Sequence, residues 1–437
     1  MLKSDIEQRR FESRCAKDMS LKSYLTAQKY PVIFPLPNKW PCADFTIDEW
    51  GDVLPDLYEF RHESRQKCPH FEVQHIQRFK ATIKDFAGAI RTGYFNKPSI
   101  DLHERWVYSA YNWMSAGTMK RKDCLDWSFF ESGDKDCTHT TIWMGSKGAF
   151  TPCHRDSYGL NLSCQLIGAK EWFLFPPSDG KYLYETRLPF EESTVFSSID
   201  FNRMPINIAK WPLFKNATPY RVIVKPGEVL LIPKHWWHFV RCVDDGNINV
   251  NRWFDLDSDA ADKIDEAIAS LLVDRIHDLV EGKLPAFNGV RPVRSVKVIF
   301  EAIKRSLEKM NCDSDTAEHS CTQPSEEPIR HDSLDEADST PSISEPNDEE
   351  IVRRYLISPV ERCSLEEFIK ATPKHESTSK TRVDFSTNDI FRAVLDSEVL
   401  ALIRKKLSDR YCRQNKQFED RPKGSNMKIQ MYSRDPL

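Results

Sequence analysis

Two histidines and one aspartate offer the clearest chemistry in this chain: His154 and Asp156 in TPCHRDSYGLNL, and His238 far downstream in IPKHWWHF. Two imidazoles and a carboxylate can hold non-haem Fe(II) on one face and leave the opposite face open. An open face admits a cosubstrate and O2, so these residue types point to oxidation and not merely to a structural metal. In an extended strand residues i and i+2 share a face, so His154 and Asp156 project together and Arg155 points away. The third ligand is ambiguous from the residues alone. KHWWHF holds His235 and His238, and strand alternation groups His238 with Trp236 and Val240, and His235 with Trp237 and Phe239. The pattern leaves open which group faces inward. His62, His70, His75, His103 and His139 supply the same donor type but sit in no comparable segment.

An isolated H-x-D is more often structural than catalytic, so its neighbours carry the argument. A dicarboxylate such as 2-oxoglutarate would chelate iron through its 2-oxo acid end. Its far carboxylate then needs a buried cation and hydrogen-bond donors. Lys170 in GAKEWFLFPP, Thr151 and Asn161 supply those groups close around H-x-D. Trp143, Trp172, Trp236 and Trp237 are candidates to line the cavity, although core packing is the commoner use of such residues.

The elements that must position these groups read as short strands. Trp106–Met114, Thr140–Met144, Leu160–Ile167, Glu171–Phe175, Tyr220–Val224, Val229–Ile232 and Asn247–Leu256 are apolar or alternating runs, several bounded by Gly or Pro. Such punctuation predicts a mainly β sandwich or barrel. Residues 1–28 read as polar helix. After Asp255 the period changes to that of a helix, with Ser258 as the expected N-cap, Ile264, Ile268, Leu271, Leu272, Ile276 and Leu279 on one stripe, and Gly282 as the stop. A second amphipathic helix is expected over Val293–Met310. Residues 311–350 carry 13 Asp or Glu, one Arg and no aromatic residue, which predicts a disordered acidic linker. Beyond it, SLEEFIKA and STNDIFRAVLDSEVLALIRKKLSDR read as short helices that dock on the core or bind a partner. The resulting division is a helical extension (1–30), a β domain (31–257), a helical extension (258–310), the linker (311–350) and a C-terminal helical region (351–437).

Composition bounds the rest. The 437 residues include 62 basic and 66 acidic side chains, a net charge of −4, which gives no global pull toward nucleic acid or anionic membrane. A local basic groove for nucleic acid is not excluded by this balance. The first twenty residues are charged and lack the apolar core of a secretory signal, and no run is long enough to span a membrane. The expected location is therefore cytoplasmic, with the nucleus as a second site. The 12 cysteines include no C-x-x-C pair and read as reduced thiols, with Cys153 and Cys164 as small core residues.

Three stretches together, TPCHRDSYGLNLSCQLIGAKEWFLFPP, KPGEVLLIPKHWWHFV and NINVNRWFDL, resemble the small JmjC-domain Fe(II)/2-oxoglutarate oxygenases, over roughly residues 30–275. The likeness is strongest to the group associated with small heat shock proteins. It extends to the asparaginyl hydroxylase of hypoxia-inducible factor and the tRNA wybutosine hydroxylase. The resemblance implies a double-stranded β-helix, a cupin-like jelly roll with flanking helices. It implies His154, Asp156 and His238 as metal ligands, and so chooses His238 over His235. It assigns Lys170 to the far carboxylate of 2-oxoglutarate, Thr151 and Asn161 to its hydroxyl and amide partners, and Asn251 to the same pocket. Tyr108 matches an early pocket tyrosine, with Tyr111 as the alternative. The implied reaction consumes 2-oxoglutarate and O2, gives succinate and CO2, and hydroxylates a substrate, most simply a protein. Hydroxylation of an N-methyl group would instead end in demethylation. Association with a small heat shock protein and action on RNA are the other roles that the resemblance brings.

Overall fold

The computed structural model describes residues 21–66, 77–114, 119–121, 123–131, 137, 139–187, 194–279, 296–318, 348–370 and 393–419. Within them all seven expected strands form, together with others that the runs did not announce, among them Val32–Pro35, Tyr58–Ser64, Gln77–Ala81 and Thr194–Ser197. They are β1 (Val32–Pro35), β2 (Tyr58–Ser64), β3 (Gln77–Ala81), β4 (Arg105–Trp113), β5 (Thr141–Ser146), β6 (Phe150–Asp156) and β7 (Leu160–Ile167). After these come β8 (Lys170–Phe175), β9 (Thr194–Ser197), β10 (Tyr220–Val224), β11 (Glu228–Ile232), β12 (Trp237–Cys242) and β13 (Gly246–Phe254).

Two antiparallel sheets result. The larger runs Ser358–Pro359, β1, β11, β7, β13, β5, β4, β2, β3; the smaller runs Glu185–Thr186, β9, β6, β12, β8, β10. Sequential strands alternate between the sheets (β5 to β6 to β7 to β8), which winds the chain into a double-stranded β-helix, or jelly roll.

Alternation explains how the layers fill. In β7, Leu160, Leu162, Cys164 and Leu166 enter the large apolar cluster outside the major sheet, while Asn161 and Ser163 face the interior. Strand β13 repeats the pattern: Ile248, Val250 and Phe254 face that cluster, and Asn249, Asn251 and Trp253 face inward. The outer cluster is covered by α1 (Ile47–Val53) and α2 (Ile83–Thr92), which supply Trp50, Ile83 and Phe86. Both helices start in capping boxes, Thr46 with Glu49 and Thr82 with Asp85, which satisfy amide donors that would otherwise lack partners. On the minor sheet Phe150, Phe173, Phe175, Trp237 and Phe239 join a second cluster with Phe201, Phe214 and Phe368.

The C-terminal helices are α3 (Ala260–Leu279), α4 (Val296–Glu318), α5 (Asp348–Tyr355) and α6 (Ser397–Glu419). Ile264, Ile268, Ile299, Ile303, Leu307, Leu395 and Leu400 bind α3, α4 and α6 into one apolar bundle. Ser258 is not the N-cap of α3. A one-turn 3-10 segment, Asp257–Asp259, precedes the helix, and the Leu256 N–H donates to Asp259 Oδ2 at 2.7 Å. The Ser258 hydroxyl and carbonyl instead accept from Lys234 Nζ, each at 3.0 Å. Gly282, residues 1–20, most of the acidic segment (319–347) and 371–392 lie outside the described residues. The ends of the acidic segment are helical, since α4 runs to Glu318 and α5 starts at Asp348.

SLEEFIKA forms a 3-10 turn, Leu365–Phe368, followed by the strand Ile369–Lys370, which pairs in parallel with Ile206–Asn207. A continued helix would lose that pairing. It would also move Phe368, which is fully buried among Phe173, Phe175, Phe201 and Phe214. Truncating such a ring to alanine costs about 3–5 kcal/mol, so the tail is part of the folded unit.

Candidate metal centre

Strand β6 brings His154 and Asp156 to the interior, and β12 brings His238 beside them. His154 and His238 are register partners, with ring centroids 4.1 Å apart. One ligand atom from each of His154, Asp156 and His238 lies within 4.8 Å of the others, and no other such group occurs among the described residues. His235 is excluded by backbone geometry. It precedes β12 in a turn at φ +68°, and its Nε2 meets the Ser157 carbonyl at 2.8 Å.

Each imidazole is oriented by the backbone two residues before it. His154 Nδ1 lies 2.8 Å from the Pro152 carbonyl, and His238 Nδ1 lies 3.0 Å from the Trp236 carbonyl. A carbonyl only accepts, so each Nδ1 carries the proton and each Nε2 of the neutral ring keeps a free lone pair. Burial first, and then the neighbouring His238, push the His154 pKa below its ordinary value, which favours the ligating form.

Asp156 divides its two oxygens between tasks. Oδ1 faces His154 Nε2 at 3.8 Å, while Oδ2 accepts from Trp253 Nε1 at 2.9 Å and from Asn161 Nδ2 at 3.4 Å. Behind it runs a chain whose direction is fixed by one donor-only group. Trp143 Nε1 donates to Asn251 Oδ1 at 2.6 Å, and Thr141 donates to the same oxygen. Asn251 must therefore present Nδ2 to Asn161 Oδ1, at 3.1 Å, and Asn161 presents its own Nδ2 to Asp156. Asn161 and Asn251 thus line the cavity, and both support the metal-side carboxylate.

Lys170 projects into the same cavity from β8 and is 2% exposed. Its Nζ donates to Asn249 Oδ1 at 2.5 Å, and Asn249 Nδ2 donates to Ser163 Oγ at 2.8 Å. The ammonium also lies 5.4 Å from the Tyr108 ring and 5.9 Å from the Trp143 ring. Among the described residues no carboxylate comes within ion-pair distance of it. A buried ammonium without an anion is costly, so an anion beside it would relieve that cost. Thr151 and Tyr108 place their hydroxyls 3.3 Å apart nearby, and Trp172 Nε1 is a buried donor without an acceptor among the described residues.

Thr151 and His154 are three apart, yet both reach the cavity. A bulge makes this so: between His238 and Val240 on β12, strand β6 advances from His154 to Thr151, one residue more than its partner. Both tyrosines line the cavity, Tyr108 buried and Tyr111 at its outer edge with φ +56° and 37% exposure. Trp143 and Trp172 line it too, whereas Trp236 and Trp237 pack into apolar clusters. Sequence reasoning missed Asn249, Ser163 and Trp253. The signal for them was present: Asn249 and Trp253 flank Asn251 at period two in NINVNRW, and Ser163 follows Asn161 at the same spacing.

The donor set fits a divalent iron, with two imidazole nitrogens and one carboxylate oxygen converging from one side. The unpaired Lys170 wall fits the anionic end of an acid. Comparison with known proteins agrees with this chemistry. Residues 28–260 match the model of the cupin-like domain. HSPB1-associated protein 1 of Mus musculus is 40% identical over 262 residues, covering 58% of this chain and 54% of that protein. Its homolog in Danio rerio is 35% identical over 259 residues, 56% of each. The human bifunctional peptidase and (3S)-lysyl hydroxylase JMJD7 is 32% identical over 134 residues, covering 27% of this chain and 42% of that protein. The chain spans about half the length of the HSPB1-associated proteins it matches.

Proposed function

Because the chain belongs to the cupin-like, JmjC-type domain family, we propose that it is an Fe(II)- and 2-oxoglutarate-dependent oxygenase that hydroxylates a protein. One observation carries this reading: His154, Asp156 and His238 converge in the cavity that also holds the unpaired Lys170. A plain metal site needs no buried ammonium beside it, and a plain anion site needs no triad of ligands.

In this reading His154 Nε2, His238 Nε2 and Asp156 Oδ1 hold the iron. Lys170 binds the far carboxylate of 2-oxoglutarate, with the Tyr108 and Thr151 hydroxyls beside it. When bound, the metal with 2-oxoglutarate and O2 supplies the oxidising power, giving succinate, CO2 and an oxygen atom for a C–H bond. The protein supplies orientation. The carbonyls of Pro152 and Trp236 keep the imidazoles in one tautomer, and Trp253 with Asn161 holds the carboxylate so that Oδ1 stays aimed at the metal. Trp143 and Trp172 form apolar walls that keep bulk water from the reacting atoms.

Succinate formation from 2-oxoglutarate, with Fe(II) and ascorbate, tests the reading against cell protein and RNA fractions in turn. Stimulation by protein supports it. Stimulation by RNA alone would move the substrate to nucleic acid, and no turnover with either would contradict the enzymatic reading.

A second role rests on the relatives' name. We propose that the chain also associates with a small heat shock protein, as the HSPB1-associated proteins are named for doing. Co-sedimentation with a purified small heat shock protein tests it, and no shift at micromolar concentrations contradicts it. No helix among the described residues is long and apolar enough to cross a membrane.

A further inference from the structure

Arg155 and Ser157 stand on the segment that carries His154 and Asp156, turned to its other side. They face a cavity of about 520 Å³ between the jelly roll and the helical bundle. Its walls include the 3-10 turn Pro177–Tyr182, α3 and the start of α6. It shares no lining residue with the metal cavity.

Most charges around this space are already matched. Arg187 holds Glu266 through two hydrogen bonds of 2.6 and 3.1 Å. Asp262 meets Lys234 at 2.8 Å and His235 at 3.4 Å, and Arg404 holds Asp265 at 2.7 Å. Arg155, Lys181 and Glu185 remain, two cations against one carboxylate. Arg155 comes no nearer a carboxylate than 4.0 Å, at Glu185, and its guanidinium rests over the Trp237 ring at 5.6 Å. Among the described residues its five N–H donors make no hydrogen bond. Ser157 is 4% exposed, and its Oγ has no hydrogen-bond partner among the described residues. Buried polar groups are seldom left unmatched without a ligand to match them. The first residue of α6, Ser397, lines the same space.

We infer that this cavity binds a small oxyanion, a phosphate or a carboxylate, through the Arg155 guanidinium and the Ser157 hydroxyl. The guanidinium fork matches two oxygens of either group, and the hydroxyl donates to a third contact or to a shared oxygen. Lys181 adds positive potential at the rim. The site is independent of the iron reading, because its donors point away from the metal.

Isothermal titration of the full chain with inorganic phosphate, and separately with acetate, tests the inference. Saturable binding of either ion is expected, and the stronger one names the source. R155M should weaken it at least about tenfold and S157A about threefold. Absence of saturable binding of both ions overturns the inference. So does binding unchanged in folded R155M. If circular dichroism shows R155M to be misfolded, S157A decides, and unaltered affinity there overturns the site.

Discussion

Trp253 donates its indole N–H to Asp156 Oδ2 at 2.9 Å, and this contact leaves Oδ1 as the carboxylate oxygen facing His154 and His238. The metal-side carboxylate is thereby held as a one-oxygen ligand before any metal arrives. W253F keeps the ring and removes the donor. It should weaken Fe(II) affinity about 10- to 100-fold, the range for losing a partner of a metal ligand. Anaerobic Fe(II) titration measures this, and unchanged affinity would show that the indole only packs.

The chain from Trp143 through Asn251 and Asn161 to Asp156 is directional, so its members are energetically coupled. N161A and N251A should each weaken Fe(II) binding, and the double variant should lose less than the sum. A coupling of about 0.5–3 kcal/mol is expected in a double-mutant cycle. Strict additivity would mean that the two amides act separately.

Lys170 places function and stability in opposition. Its buried ammonium has one protein acceptor, Asn249, and no carboxylate among the described residues. K170M should raise the concentration of 2-oxoglutarate needed for half-maximal turnover by at least about tenfold. Without ligand, its melting temperature should stay level or rise, because an uncompensated buried charge is removed. A marked fall in the melting temperature together with unchanged 2-oxoglutarate dependence would contradict the role.

Away from the site, His62 gives a pH signature. Arg105 Nη1 donates to His62 Nδ1 at 2.8 Å, which requires that nitrogen to be unprotonated. Burial first, and then Arg105, lower the His62 pKa. The unfolded chain therefore takes up this proton at higher pH than the folded one. The stability that His62 contributes is complete above about pH 6.5, the unfolded value, and is lost as pH falls toward the folded pKa. H62Q should flatten that acid limb in denaturant titrations from pH 7.5 to 5. An unaltered limb would assign the pH dependence elsewhere.

Much of this was legible because strands repeat with period two. The runs at Leu160–Ile167 and Tyr220–Val224 form as read, and His154 with Asp156 shares one face as H-x-D requires. Three features broke that arithmetic. The bulge in β6 puts Thr151 and His154 on one side despite odd spacing. The turn at His235 ends alternation before β12 begins, so periodicity could not choose between His235 and His238. Ser258 has the chemistry of an N-cap, but Lys234 claims its oxygens and Asp259 closes the turn instead. In the tail, tertiary contacts decided: Phe368 packs among four other phenylalanines, and SLEEFIKA bends into a 3-10 turn and a strand.

The central claim is that His154, Asp156 and His238 hold Fe(II) in a form that 2-oxoglutarate chelates beside Lys170. The most direct measurement is the visible absorption spectrum of the full chain with Fe(II), recorded without O2 as 2-oxoglutarate is added. The account predicts a saturable metal-to-ligand charge-transfer band in the wild type, its loss in H154A and D156A, and a shift of its midpoint to higher 2-oxoglutarate in K170M. A wild-type protein that is folded, takes up Fe(II) and develops no band at saturating 2-oxoglutarate would contradict it.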